Sequence, residues 1–130
     1  MKKRVNISSG SKWEKIVGYS RIVKVGNQVF VTGTTAVDDN GNIVGIGDVY
    51  KQTKFILSKI EKYLNEAGAK LSDIVRTRMF VVNITDWQEV GQAHNEFFSN
   101  IKPATTMVEV SSLIESDLLI EIEADAIIIK

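Results

Sequence analysis

The end of the chain constrains its fold more than any other segment. From Leu119 to Ile128, Ile120, Ile122, Ala124 and Ala126 alternate with Glu121, Glu123 and Asp125. Successive side chains of an extended strand point to opposite faces, so this stretch reads as a strand with one apolar and one acidic face. A partner strand runs from Thr105 to Val110, and Pro103 stops any helix before it. Upstream, Ser20–Val25 and Gln28–Thr32 flank Gly26-Asn27 and read as a β-hairpin. A second turn covers Asp38 to Asn42, with short strands expected at Thr34–Val37 and Ile43–Val44.

The period then changes. Val49, Thr53, Ile56, Ile60, Tyr63, Leu64 and Ala67 recur at helical spacing, and Asp48 and Gly68 suit the two caps of a helix over roughly 48–67. Leu71 to Val82 reads as a long strand. Asp86 followed by Glu89 is a capping-box start for a second helix, whose buried stripe is Val90, Ala93, Phe97 and Phe98. Each helix lies between strands, so some strand pairs can be parallel by right-handed crossover. The expected fold class is α+β: one mixed β-sheet with both helices packed on one face.

At 130 residues the chain is a single domain. Lysine plus arginine equals aspartate plus glutamate at 16 each, so no global field draws it to nucleic acid or an anionic membrane. Cysteine is absent, which removes disulfides, thiol nucleophiles and thiolate metal sites. A single histidine, His94, without a ligand at metal-binding spacing, reads as a surface residue and makes a zinc centre unexpected. The basic start is followed by no apolar run, so neither a signal peptide nor a membrane span is expected, and a cytoplasmic location is the default. Ser8-Ser9-Gly10-Ser11 lacks the strand before it and the Gly-Lys after it that a phosphate loop needs. Lys2-Lys3-Arg4 is a basic tip, Trp13 reads as a core anchor or a cover for a pocket, and Trp87 is expected to pack at the start of the second helix.

Arg76 and Arg78 share a face of the middle strand as the three carboxylates do of the last. Two readings stand: a solvated face with cross-strand ion pairs, or a face packed against neighbouring subunits.

Two blocks carry a family resemblance. Pro103-Ala104 through Val108-Glu109-Val110, followed by Ile120-Glu121-Ile122-Glu123-Ala124, is one; Gly18-Tyr19-Ser20, Val25-Gly26-Asn27 and Phe30-Val31-Thr32-Gly33 is the other. Together they resemble the reactive intermediate deaminase family, RidA/YjgF, also labelled endoribonuclease L-PSP-like, over about Gly18 to Ile127. The resemblance implies a chorismate-mutase-like homotrimer whose sheets form a central barrel, with small-molecule clefts between subunits. It also implies hydrolysis of enamines or imines to a keto acid and ammonia, with no cofactor. A small metabolite, a carboxylate or an imine, and further copies of the chain are the implied partners.

By that resemblance Glu121 matches a water-orienting, proton-exchanging carboxyl, with pairing to Arg76 or Arg78 as the alternative. Tyr19 matches a pocket wall. Thr32 stands where a serine is usual, and Gly33 allows close backbone approach. Gly91 and Thr105 depart from the pattern. Gly91 falls where many deaminating members have a polar pocket residue, and Thr105 replaces the arginine that holds a substrate carboxylate. A threonine offers one neutral hydrogen bond in place of a bidentate charged fork. Hydrogen bonds to charged groups are worth about 1.5–3 kcal/mol, so the loss weakens a carboxylate substrate by about one to two decades. Arg21 and Arg78 are the candidate substitutes for that charge, against the alternatives of a solvated edge charge for Arg21 and of a ligand with no carboxylate. The implied function is thus a deaminase-like hydrolase with altered substrate choice; a non-catalytic metabolite-binding trimer is the alternative, and the neutral charge balance counts against an endoribonuclease.

Overall fold

The computed structural model describes residues 3–129, so Lys2 of the basic tip lies outside them. The elements in chain order are β1 (Arg4–Ile7), α1 (Lys12–Val17), β2 (Ile22–Val25), β3 (Gln28–Thr34), α2 (Val49–Glu66), β4 (Ile74–Val81), α3 (Trp87–Phe98), β5 (Ala104–Glu109) and β6 (Ile120–Ile127). One six-stranded sheet runs in the order β1-β2-β3-β6-β4-β5. Only β4 and β5 pair in parallel, joined across α3; the other neighbours are antiparallel. The mixed α+β sheet expected from the sequence is the sheet observed. No helix among the described residues is long and apolar enough to cross a membrane.

The β6 alternation decides which face is covered. Ile120, Ile122, Ala124 and Ala126 are buried together with Val29, Val31, Met79 and Val81 from the flanking strands. From α2, Ile56, Leu57, Ile60 and Leu64 close over that face with no exposed surface, and Val90 and Phe98 of α3 complete the layer. Burying an aliphatic side chain of this size is worth about 1.5–3 kcal/mol. Asp48 caps α2 through its side chain, accepting from the Lys51 N–H at 3.0 Å, and Gly68 ends it at φ 81°, a left-handed conformation that suits glycine.

Four expectations need correction. The segment before the hairpin is ordered as β1 and α1, so a strand does precede Ser8-Ser9-Gly10-Ser11; the serines serve Glu14 instead, as described below. Asp86 makes no side-chain cap; Asn83 caps a short 3₁₀ turn ahead of α3 by accepting from the Thr85 N–H at 3.0 Å. Trp87 is 56% exposed and packs into no core. The strands expected around the Asp38–Asn42 turn shrink to a single bridge between Val37 and Ile43, and Thr34 belongs to the end of β3.

Gln52 pins α2 to the loop before β6. Its fully buried amide donates to the Gly45 carbonyl (3.2 Å) and the Asp117 carbonyl (2.9 Å) and accepts from the Leu119 N–H (2.9 Å). Replacement by leucine keeps the volume but leaves these backbone groups without a partner, at about 1–3 kcal/mol for each group left dry. Gln52→Leu should therefore lower the unfolding free energy by about 2 kcal/mol or more, and Asp48→Ala by about 1 kcal/mol. Chemical denaturation of the variants checks the ranking, and an Asp48→Ala effect exceeding that of Gln52→Leu contradicts it.

Candidate functional site

The face of the sheet opposite α2 and α3 carries Glu121, Glu123 and Asp125 on β6, with Arg76, Arg78 and Phe80 beside them on β4. The register sets Arg78 against Glu123 and Phe80 against Glu121. Arg78 Nη1 reaches Glu123 at 3.3 Å and Asp125 at 3.1 Å. Cross-strand pairing therefore accounts for two of the three carboxylates. Glu121 stands apart, because its partner position is Phe80, and among the described residues no lysine or arginine comes within ion-pairing distance of it.

What lies over Glu121 is Gly33. Between Val31 and Thr34 the β3–β6 register shifts, and the bulge brings Gly33 onto the Glu121 carboxyl. A methyl group on Gly33 would collide with Glu121 Oε2, so the bare glycine supplies the room. Glu121 is half-buried here. Burial raises its pKa above the ordinary carboxylate value, the neighbouring Glu123 charge raises it further, and the Arg21 charge offsets part of the rise.

A groove of about 530 Å³ opens beside this carboxyl, one pleat beyond it along β6. Tyr19, Thr32 and Phe30 wall it, and Glu14, Glu123 and Asp125 line it with acid. Tyr19 and Thr32 line the groove, Gly33 and Glu121 meet at the bulge just beyond its lining, and Arg78 holds the Glu123 and Asp125 carboxylates that line it. Arg21 is not part of the lining. It is 5% exposed and bonded to the protein's own groups, which rules out a solvated edge charge.

Thr105 and Gly91 lie on the other side of the sheet. Thr105 pairs in register with Thr77, and the two hydroxyls are 2.8 Å apart. Thr77 is fully buried under α3, and its hydroxyl also meets His94 Nε2 at 2.9 Å. His94 is half-buried and tilted against Phe98 with ring centroids 4.5 Å apart, so it is no surface histidine. Gly91 precedes it by one turn of α3, and a Cβ there would meet nothing within 4 Å. A relay of imidazole and two hydroxyls therefore ends at exposed Thr105 on the edge strand β5. No spacing in the chain signals it, because Thr77, His94 and Thr105 meet only through sheet register and helix packing.

The sequence profile of the Endoribonuclease L-PSP family matches residues 10–128. The chain belongs to this family, the RidA/YjgF family. A RutC family protein of Pyrococcus abyssi is 39% identical over 83% of this chain and 84% of its own length. The 3-aminoacrylate deaminase RutC of Acinetobacter baylyi is 33% identical over 83% of this chain and 85% of its own. A Mycobacterium tuberculosis member of the YjgF/YER057c/UK114 family, solved by crystallography, superposes with a TM-score of 0.88 at 48% identity, covering 97% of this chain and all of that one.

Burial lowers the pKa of His94 from the ordinary 6.5. Below 6.5 the unfolded chain binds a proton that the folded chain refuses, so stability is full above that pH and is lost as pH falls toward the lowered folded value. Since the chain has one histidine, its imidazole gives a single set of titrating NMR signals. These should report a midpoint below 6.5. His94→Gln, which retains a hydrogen-bonding nitrogen but no titration, should lose less stability between about pH 7 and 5 than the native protein does. An equal loss in both proteins would show that His94 is not the group responsible.

Proposed function

We propose that the protein is a deaminase-like hydrolase that acts on an enamine or imine in clefts between the subunits of a homotrimer, with Glu121 as its proton-exchanging carboxyl. The observation that carries this reading is the state of Glu121. It is the one carboxyl of the β6 row that Arg78 leaves unpaired, it is seated under a glycine bulge, and burial raises its pKa above the ordinary carboxylate value. The deaminase activity of the Acinetobacter relative supports the same reaction class.

The chemistry fits a carboxyl that moves one proton at a time. Protonation of the enamine carbon gives an iminium ion; water, giving up a proton to the Glu121 carboxylate, adds to its carbon to form a carbinolamine; nitrogen then takes up that proton and the C–N bond breaks as the hydroxyl loses its proton to form the carbonyl. One water enters, one ammonia leaves, and no electrons are exchanged. Tyr19 and Thr32 wall the groove in which the substrate is held.

The two half-sites bear on assembly. The Glu121 side and the Thr105 side face opposite ways from one sheet, and β5 is an edge strand with Val108 exposed, while Phe30 is exposed on the Glu121 face. A trimer in which the edge of one sheet meets the face of the next joins Thr105 of one subunit to Glu121 of another. At Thr105 such a cleft offers a neutral hydroxyl, backed by Thr77 and His94, to the end of the substrate that an arginine would grip. The Thr105 hydroxyl donates to its own Pro103 carbonyl at 3.2 Å, and on turning from it would suit a substrate with a neutral acceptor there, such as an amide or ketone oxygen. An endoribonuclease is disfavoured by the three carboxylates lining the groove, which repel a polyanion. Binding of a metabolite without catalysis is the second reading, favoured by the open space at Gly91 and the uncharged Thr105.

Ammonia release from 3-aminoacrylate and from its neutral amide analogue tests the proposal. The native protein should favour the amide, Glu121→Gln should lose about 10²-fold or more in kcat on either, and Thr105→Arg should raise the rate on the carboxylate by at most about 10²-fold. No ammonia from either substrate with the native protein supports the binding-only reading. Activity that survives Glu121→Gln removes Glu121 from the chemistry.

A further inference from the structure

Behind the Gly33 bulge lies a buried charge that does not line the groove. Arg21 Nη1 donates to the Gly33 carbonyl at 3.2 Å and to the Thr34 hydroxyl at 3.1 Å. Nη2 stands 4.0 Å from Glu14 Oε2, and Nε finds no acceptor among the described residues. Glu14, itself buried in α1, accepts from the Ser8 hydroxyl at 2.8 Å, the Ser9 N–H at 3.2 Å and the Ser9 hydroxyl. A continuous path thus runs from the serine turn after β1, through Glu14 and Arg21, to Gly33 and the carboxyl beneath it.

Such a path is an expensive way to fill space. Burying a guanidinium and a carboxylate forfeits their hydration, and an apolar pair of similar volume is often as stable or more so. One Arg21 N–H is also left dry. The charge supplies two things that an apolar side chain lacks: donors that hold the Gly33 carbonyl, and a positive potential beside Glu121.

We propose that Arg21, clamped by Glu14, is a positioning residue that fixes the β3 bulge over Glu121 and sets the charge around that carboxyl from behind the sheet. Its catalytic meaning rests on the reading of Glu121 given above. The charged groups around Glu121 come from every side. Glu123 is on its own strand; Arg78 on β4 is engaged with Glu123 and Asp125. Arg21 lies just before β2 with Glu14 of α1 beyond it, and Lys59 of α2 is near enough to Arg21 that burial and then the Arg21 charge lower its pKa. Within this set Arg21 is the cation that lowers the Glu121 pKa. Glu14 partly neutralises Arg21, so the two residues pull Glu121 in opposite directions.

The test is a carboxyl ¹³C NMR titration of Glu121 in the full-length protein, its signal assigned by its loss in Glu121→Gln, alongside the pH profile of ammonia release. Arg21→Met should move the Glu121 titration to higher pH and Glu14→Gln should move it to lower pH. The pH profile should follow each shift, and Arg21→Met should lower kcat about 10²-fold with a smaller change in KM, as displacement of a reacting group does. Arg21→Lys should keep the titration nearer to native while kcat stays reduced, because the charge remains and the two-acceptor geometry is lost. Should Arg21→Met fail to fold, the direction of the Glu14→Gln shift decides alone. An unmoved titration in Glu14→Gln, or shifts of the same sign in both variants, overturns the inference. Opposite shifts in a native protein that releases no ammonia would uphold this charge device and sink the proposed reaction.

Discussion

The period-two alternation of β6 is the constraint on which the rest of the structure depends. This strand is flanked by β3 and β4, so its apolar residues fix which face α2 and α3 cover. Its acidic residues are thereby fixed on the opposite face. A shift of pairing by one residue would drive three carboxylates into the helix layer, at a cost far beyond the stability of a domain this size. Fold and candidate site are therefore specified by the same seven residues, and neither can be altered alone.

Why three carboxylates on one strand face end in different states is a matter of their neighbours. Strand geometry treats Glu121, Glu123 and Asp125 alike. Arg78 reaches the last two, and Phe80 stands where a cation would be needed for the first. On the other flank the β3 bulge lays a glycine over Glu121 in place of a side chain that would push it into water. Desolvation without a paired cation raises a carboxyl pKa, and Arg21 behind the bulge limits the rise. The distinction between a structural ion pair and a candidate catalytic group thus arises from one phenylalanine, one glycine and one buried arginine.

Much of this was legible in the sequence wherever it depends on local period. The Gly26-Asn27 hairpin, the capped helix after Asp48 and the β5 and β6 strands fall close to their expected bounds, because each carries a turn or cap residue and a clean alternation. β1 and α1 escaped notice for the converse reason. β1 has no alternating burial, its residues being exposed or half-buried, and α1 spans six residues with Ile16 and Val17 exposed, so neither shows an amphipathic pattern. The Asp86–Glu89 spacing suggested a cap that Asn83 supplies instead, since the chain enters α3 through a 3₁₀ turn. At the site, the resemblance names Glu121, Tyr19, Thr32 and Gly33; Tyr19 and Thr32 share the groove, and Gly33 lies on Glu121 beside it. Arg21 was expected on a strand face and is buried, because α1, absent from the expectation, brings Glu14 to it.

Thr105 shows where reasoning from one position stops being enough. By the resemblance alone, it stands where an arginine is expected. In the fold it is the exposed end of a relay that begins at a half-buried imidazole and passes through a buried threonine. An arginine at 105 could donate to the Thr77 hydroxyl but could not accept from it, since a guanidinium donates only. A hydroxyl both donates and accepts, so it can adapt to whichever tautomer His94 adopts. Thr105 is thus coupled to Thr77 and His94, and the three together present a neutral contact at the β5 edge. In the proposed reading the Glu121 half carries the proton-exchanging carboxyl and the Thr105 half meets the substrate. On the proposed reading the reacting carboxyl and the substrate contact lie on opposite faces of one sheet, so a change at Thr105 leaves the immediate surroundings of Glu121 untouched.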